Sequence, residues 1–391
     1  MSTKYNIKSL YVAREDANGN VVATPTVMEL CLTGNTLKQS YSYEDIKCLL
    51  SEVARKHETD SEVTGSLTFT MDADSQQFVL THSLGEATSV ADFTADVWVT
   101  ATAYSKGDIV NHTDGVHSLI VYKISGAGTS GGVEPTISTG RGELLTDNLV
   151  TWLVIPKLLQ AVHPFSTDVP KFRLEIGLEE VGGAGMFYKQ YANLELGTLP
   201  IAVEAGGSYE LSIDPVGGVA IDEQDAAWTN NLMAIAGAKL VGAESDFYGG
   251  ECSLTEVLVD DAVDETDAVT ITVDKGLTSE SKLNCRMRTA RDPKIEGNMT
   301  KEFIPADYYA FKDKAVFDLK INLSTRIGAT CSYHLPQVRP QFADPDLESK
   351  TSVMISPEIA AEEMGATAAV TATCVFPALI SGGVIVGSGE W

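Results

Sequence analysis

The chain has 391 residues, 44% of them hydrophobic, with a mean hydropathy of +0.01. That leaves room for about two or three domains that each bury a core, and it excludes a disordered composition. Its 54 Asp and Glu against 28 Lys and Arg leave a formal net charge of −26, so a surface built to hold nucleic-acid phosphates is excluded.

No run of about 18 apolar residues occurs, and MSTKYNIKSLYVARED contains no apolar leader, so neither a spanning helix nor a secretory signal is predicted. The first predicted elements are strands at 4–13 and 21–32 around the turn signal Asn18-Gly19-Asn20. Ser42 is placed to cap a helix running through Lys56. Ile46, Leu49, Leu50 and Val53 fall at helical spacing behind Asp45. Leu67, Phe69 and Met71 alternate with Thr68 and Thr70 in a strand over 63–74, and 78–84 is expected to run back beside it. One helix against a sheet suggests a flanked sandwich. The cysteines (Cys31, Cys48, Cys252, Cys285, Cys331, Cys374) lie apart without a C-x-x-C, which predicts free thiols in a reducing cytoplasm.

Residues 97–156 differ in character. Trp98 is followed by Tyr104-x-x-Gly107-Asp108-Ile109-Val110 and by Val121-Tyr122-Lys123. A Gly/Ser/Thr-rich loop then ends on Glu134-Pro135-Thr136, before Asp147-x-x-Val150-Thr151-Trp152. The pattern resembles a small β-module inserted in many phage tail and tail-fibre proteins, itself similar to chitin-binding modules. Two roles are open to its aromatics. Trp98, Tyr104 and Trp152, with Tyr122, offer faces for sugar rings, or they form the module's own miniature core.

Residues 161–218 read as three strands in a row. Phe172, Leu174, Ile176 and Leu178 alternate with Arg173, Glu175, Gly177 and Glu179, the period of a strand with one buried face. Leu194, Leu196 and Leu199 follow, and Tyr209, Leu211 and Ile213 alternate with Glu210, Ser212 and Asp214. Gly182-Gly183, Gly206-Gly207 and Gly217-Gly218 mark the turns. A helix is expected over 222–236, with Trp228, Leu232, Ile235 and Ala236 on one side. Strands are predicted at 252–259, 267–274 and 317–323, and segments 351–360 and 367–376 would close the sheet. TVMELCLTGN at 26–35 echoes SLTEVLVDD at 253–261, and VTGSLTFTMDAD at 63–74 echoes DAVTITVDKG at 267–276. Both echoes suggest tandem copies of one fold.

The chemistry-bearing motifs H-E-x-x-H, G-x-S-x-G and the P-loop do not occur. The histidines (His57, His82, His112, His117, His163, His334) are dispersed, and His112 and His117 flank Asp114 in a segment that reads first as a turn. The acid run 259–267 lacks calcium-loop spacing and reads as a solvated loop. Glu179-Glu180 has no partner placed to tune it. No catalytic, metal or cofactor-binding residues are predicted.

The order of parts in 161–218 carries a second resemblance. The entry His163-x-Phe165, the charged alternating strand, the aromatic patch Phe187, Tyr188 and Tyr191, the leucine strand, Gly-Gly and a closing strand resemble the mid-section of siphophage tail tube (major tail) proteins. DPDLESKTSVMISPEIAA at 344–361 is similar to that family's closing loop and strand. The resemblance implies a mainly β chain of tandem tail-tube-type sandwich lobes, each flanked by a helix, plus the inserted module. Its parts would be 1–96, the N-terminal part of the first lobe; 97–156, the module, on the outer surface; 157–220, central strands completing the first lobe; and 221–391, the second lobe. It further implies a non-enzymatic structural subunit of the virion tail, assembled in the host bacterial cytoplasm. Such a subunit self-associates into trimeric pseudo-hexameric, or hexameric, stacked rings that conduct the genome into the host cell. Its partners would be the tape measure, tail terminator and distal tail proteins, with DNA passing without sticking and no membrane contact. The alternative, drawn from the module, is a glycan-binding surface adhesin or decoration protein of a virion.

Overall fold

The computed structural model describes residues 5–16, 19–21, 26–30, 32–46, 55–70, 75–93, 96–140, 142–180, 186–204, 210–222, 232, 239–241, 254–282, 285–290, 293–313, 315–325, 329–341, 354–361, 368–378, 380–381 and 384–385. Strand β1 (Tyr5–Arg14) pairs antiparallel with β2 (Thr26–Glu29), as the hairpin signal predicts. Next, β3 (Leu32–Asn35) leads into a long hairpin arm, β4 (Lys38–Ile46) and β5 (Arg55–Thr64), that returns as β6 (Leu67–Thr70) against β3. Helix α1 (Ser75–Ser83) and β7 (Ser89–Asp92) follow.

The module holds β8 (Asp96–Val97), β9 (Ile109–Asn111), β10 (His117–Ile124), β11 (Leu144–Asp147) and β12 (Val150–Pro156), in sheet order β11-β12-β10-β9-β8. Then come β13 (Leu158–Pro164), β14 (Phe172–Glu180), β15 (Met186–Leu196), β16 (Thr198–Glu204), β17 (Glu210–Ile213), β18 (Pro215–Val216), β19 (Val219–Asp222) and β20 (Lys239–Val241).

The C-terminal half opens with β21 (Leu254–Val259), β22 (Ala262–Val263) and β23 (Thr266–Asp274). A second arm, β24 (Leu277–Lys282) and β25 (Cys285–Ala290), returns as β26 (Lys294–Glu302), which pairs with β23. Helix α2 (Pro305–Lys312), β27 (Phe317–Ser324), β28 (Thr330–Pro340), β29 (Met354–Ile355), β30 (Glu358–Ala361), β31 (Thr371–Pro377), β32 (Ile380–Ser381) and β33 (Val384–Ile385) complete the chain. The fold is mainly β, with α1 and α2 the helices among the described residues.

Both halves therefore contain the same succession of strand, arm, strand and helix. Each arm is set at a left-handed glycine, Gly65 (φ 118°) between β5 and β6 and Gly276 (φ 61°) between β23 and β24, a conformation that a side chain would strain. The equivalence differs from the residue echo, which matched β6 with β23 although β6 occupies the place of β26.

Two large sheets carry the body. One is ordered β18-β15-β14-β1-β2-β20, with β19 on β15. The other runs β16-β23-β26-β30-β28-β27-β21-β22 and also takes in β13, β31, β7 and β29. The central strands thus divide. β14 and β15 join β1, whereas β13 and β16 join the C-terminal strands, so 157–220 does not simply complete a first lobe. One large hydrophobic cluster runs through both sheets, from Leu10 and Phe172 past Phe78 to Ile271, Leu319 and Phe376.

Two expected elements are replaced. The helix over 42–56 is instead the end of β4 and the start of β5. The register sets Glu44 opposite His57 and Asp45 opposite Lys56, and Tyr41 and Tyr43 are of a residue type enriched in strands. Residues 47–54 of that expectation lie outside the described residues. The strand expected at 78–84 is α1, whose nine residues are all buried. A helix wrapped on every side shows no amphipathic stripe, so periodicity misassigns it. Conversely α2 was not anticipated, although Pro305 opens it and Asp307 sits in its first turn. The helix expected over 222–236 lies outside the described residues apart from Asp222, which ends β19, and Leu232.

Candidate functional surfaces

The module is built around its own aromatics. Trp152 is completely buried, with Tyr104 against it edge-on at a centroid distance of 4.9 Å. The Asp147 carboxylate accepts both indole N–H groups, from Trp98 at 3.0 Å and Trp152 at 3.1 Å. Val110, Leu119, Val121, Val150 and Val154 complete this cluster. Of the glycan-contact candidates, Trp152 therefore presents no face to a ligand, and Trp98 and Tyr104 are half-buried against the same core. Tyr122 alone of the four points outward, 56% exposed.

At the module's tip, the Asp114 carboxylate takes hydrogen bonds from the His117 ring (2.7 Å) and from the backbone N–H groups of Val116 and His117. Against the opposing effect of burial, these hold its carboxyl down at about 2. His112 lies 3.2 Å from the same carboxylate, and its other nitrogen donates to the Pro135 carbonyl. The group fixes a turn, and no metal-binding group of His, Cys, Asp and Glu is found among the described residues.

Inside the body, α1 is tied down by polar side chains. The Gln77 amide meets His163 of β13 at 3.1 Å and the Cys374 thiol of β31 at 3.0 Å, and Gln76 donates to the Thr330 carbonyl. Burial pushes the Cys374 thiol up to about 12, so it stays protonated and unreactive. His82 donates to the Pro170 carbonyl at 2.9 Å and lies among Phe78 and Phe172; burial pushes it down to about 3.

The face of β14 that its sequence marks as polar is buried as well. Arg173 binds Glu15 at 2.8 Å, the Gly19 carbonyl and the Gln190 side chain; Gln190 donates to Glu175, which also accepts the Leu232 backbone N–H. Arg173 and Glu175 are thus interior groups. Alternation reported the strand correctly but not that something covers its second face.

Two further solvent-facing regions stand out among the described residues. The first is a polar face. Strands β6, β17, β16, β23 and β26 each bury one side and turn outward Thr68, Ser212, Ala202, Thr270, Thr272, Glu296 and Asn298. Register lines these up in rows, Ala202–Thr270–Asn298 and Pro200–Thr272–Glu296, with Ser212 opposite Thr68.

The second is a cleft of about 470 Å³ between β21, β23 and β27, lined by Val203, Val257, Val263, Val269, Glu256, Asp264 and Asp267. The acid run beside it is an ordered two-residue hairpin turn, with left-handed Asp260 and Asp261 between the paired Val259 and Ala262. Asp261 binds Lys320, and Asp264 shares Lys301 with Asp307 at 2.6 and 2.7 Å. No helix among the described residues is long and apolar enough to cross a membrane. Comparison with protein-family models and with curated proteins finds no match for this chain.

Proposed function

We propose that the chain is a structural subunit that polymerises as stacked rings into a hollow phage tail tube, the conduit for genome ejection. The observation that carries this reading is the duplicated succession of strand, hairpin arm, strand and helix, in 32–83 and again in 266–312. The consecutive strands β16 and β17 link the two units, β16 pairing with β23 and β17 with β6. A chain with two such units can supply two of the six lobes of a pseudo-sixfold ring, so three chains close it.

The polar face supports the same reading. It is rich in hydroxyl and amide groups, and its charged side chains are of mixed sign, Glu296 with the pair Asp274 and Lys294 at one end. A wall of this kind offers DNA no cation row to bind by counterion release. The tape measure, terminator and distal tail proteins are then the chain's partners in the tail.

Negative-stain microscopy of the purified protein tests the proposal. Rings or tubes of uniform diameter are expected; compact monomers at every concentration would overturn it.

A further inference from the structure

Charge is distributed unevenly along one ladder of the C-terminal half. β23 pairs with β26 from Thr266 opposite Lys301 to Asp274 opposite Lys294. The acidic cleft lies at the Thr266 end. At the Asp274 end the chain passes into the arm β24–β25, which pairs with no other strand among the described residues. Residues 277–294 carry five cations, Lys282, Arg286, Arg288, Arg291 and Lys294, against Glu280 and Asp292. Residues 254–267 carry six acids and no cation. The ladder holds the two ends about 27 Å apart, at about 3.4 Å per residue, so an arm does not fill its own cleft.

We infer that the basic arm β24–β25 of one copy docks in the acidic cleft between β21 and β23 of a second copy. The inference deepens the self-assembly reading above and rests on it. Charge complementarity selects the occupant: Glu256 and Asp267 in the lining have no cation partner among the described residues, whereas Asp264 is already held by Lys301. Backbone geometry admits it. β21 pairs with β27 along its length but with β22 only at Leu258 and Val259, which leaves the edge at Leu254–Val257 open to an added strand among the described residues. Val203, Val257, Val263 and Val269 give the cleft an apolar floor. Because the donating arm and the receiving cleft are different surfaces, the contact is heterologous and repeats from copy to copy instead of closing as a two-fold dimer.

Charge reversal in two halves tests it. R286E/R288E and E256K/D267K should each weaken self-association about ten-fold or more in sedimentation experiments at low salt. An equimolar mixture of the two should recover association into pairs and open chains, where each reversed arm meets a reversed cleft and each native arm a native one; a contact within a ring of three would keep one mismatch. Circular dichroism and melting confirm that both variants fold. If either reversal disturbs folding, R286Q/R288Q and about 0.5 M salt on the unaltered chain replace it. Association indifferent to the substitutions, or no recovery on mixing, overturns the docking. Microscopy of the same samples separates the two readings: tubes that persist in R286E/R288E refute this contact and leave the tube standing, whereas an unaltered chain that stays monomeric overturns both.

Discussion

Two imidazoles are locked neutral inside the body. His82 takes up its proton near pH 6.5 when unfolded, and only at about 3 when folded, because burial opposes the charged ring. Between those values the unfolded chain binds the extra proton, so the stability present above pH 6.5 is lost as pH falls. His163 shifts in the same direction for the same reason. The unfolding free energy in urea is therefore expected to hold above pH 6.5 and decline between 6.5 and 5, with a limiting slope of about 1.4 kcal/mol per pH unit from His82 and a further loss of the same sign from His163. His82→Leu should flatten that decline; an unchanged slope would show that the ring is not the sensor. The buried Arg173 is the other exposed risk at this scale. Burial raises the pKa of Glu15, and the Arg173 hydrogen bond opposes that rise. Removing the guanidinium leaves Glu15 and Glu175 buried without it, so Arg173→Ala should cost about 3–5 kcal/mol. A double-mutant cycle with Glu15→Gln should recover part of the loss, and strictly additive losses would refute the coupling.

Among the elements, the inserted module is the most separable. Asp92, at the end of β7, pairs in register with Leu159 of β13, and its carboxylate meets the Lys157 ammonium at 2.6 Å. The entry and exit of the module are therefore adjacent, and after deletion of 97–156 residues 93–96 and Lys157 make a five-residue connection between two antiparallel strands. The deletion variant is expected to fold, with a melting transition close to that of the full chain, and to polymerise still. Its one liability is Leu158 and Val375, which lose the cover of Ile120 and Ile155. A folded deletion variant that no longer assembles would mark the module as an interface. Trp152→Ala should cost about 3–5 kcal/mol, with increased hydrogen exchange confined to 97–156.

At the scale of the molecule, the duplicated unit sets the expected stoichiometry. Mass measurement of isolated rings should find three chains per ring, and six full-length chains would refute the pseudo-sixfold proposal. The formal charge of −26 bears on the proposed conduit. Assembled tubes should not retain duplex DNA in a sedimentation assay at about 0.15 M salt, and retention that weakens with added salt would indicate a cationic bore.

Strand content was legible from residues alone. Alternation placed β14, β23 and β27, and Asn18-Gly19-Asn20 placed the first hairpin, because a strand with one face in the core must repeat every second residue. The tryptophans of 97–156 announced a small unit, since so short a segment needs every large aromatic for its own core. Periodicity fails where burial has no side. In α1 every face is covered, and in β14 the charged face is sealed by Glu15, Gln190 and the backbone at Leu232. Nor does alternation name a partner: β13 and β15 each show a buried face, yet they lie in different sheets. Tertiary structure alone decided which strands pair, that Trp152 faces inward, and that the arm and the acid cleft stand at opposite ends of one ladder. Each of these depends on contacts between residues far apart in the chain, where local propensity carries no information.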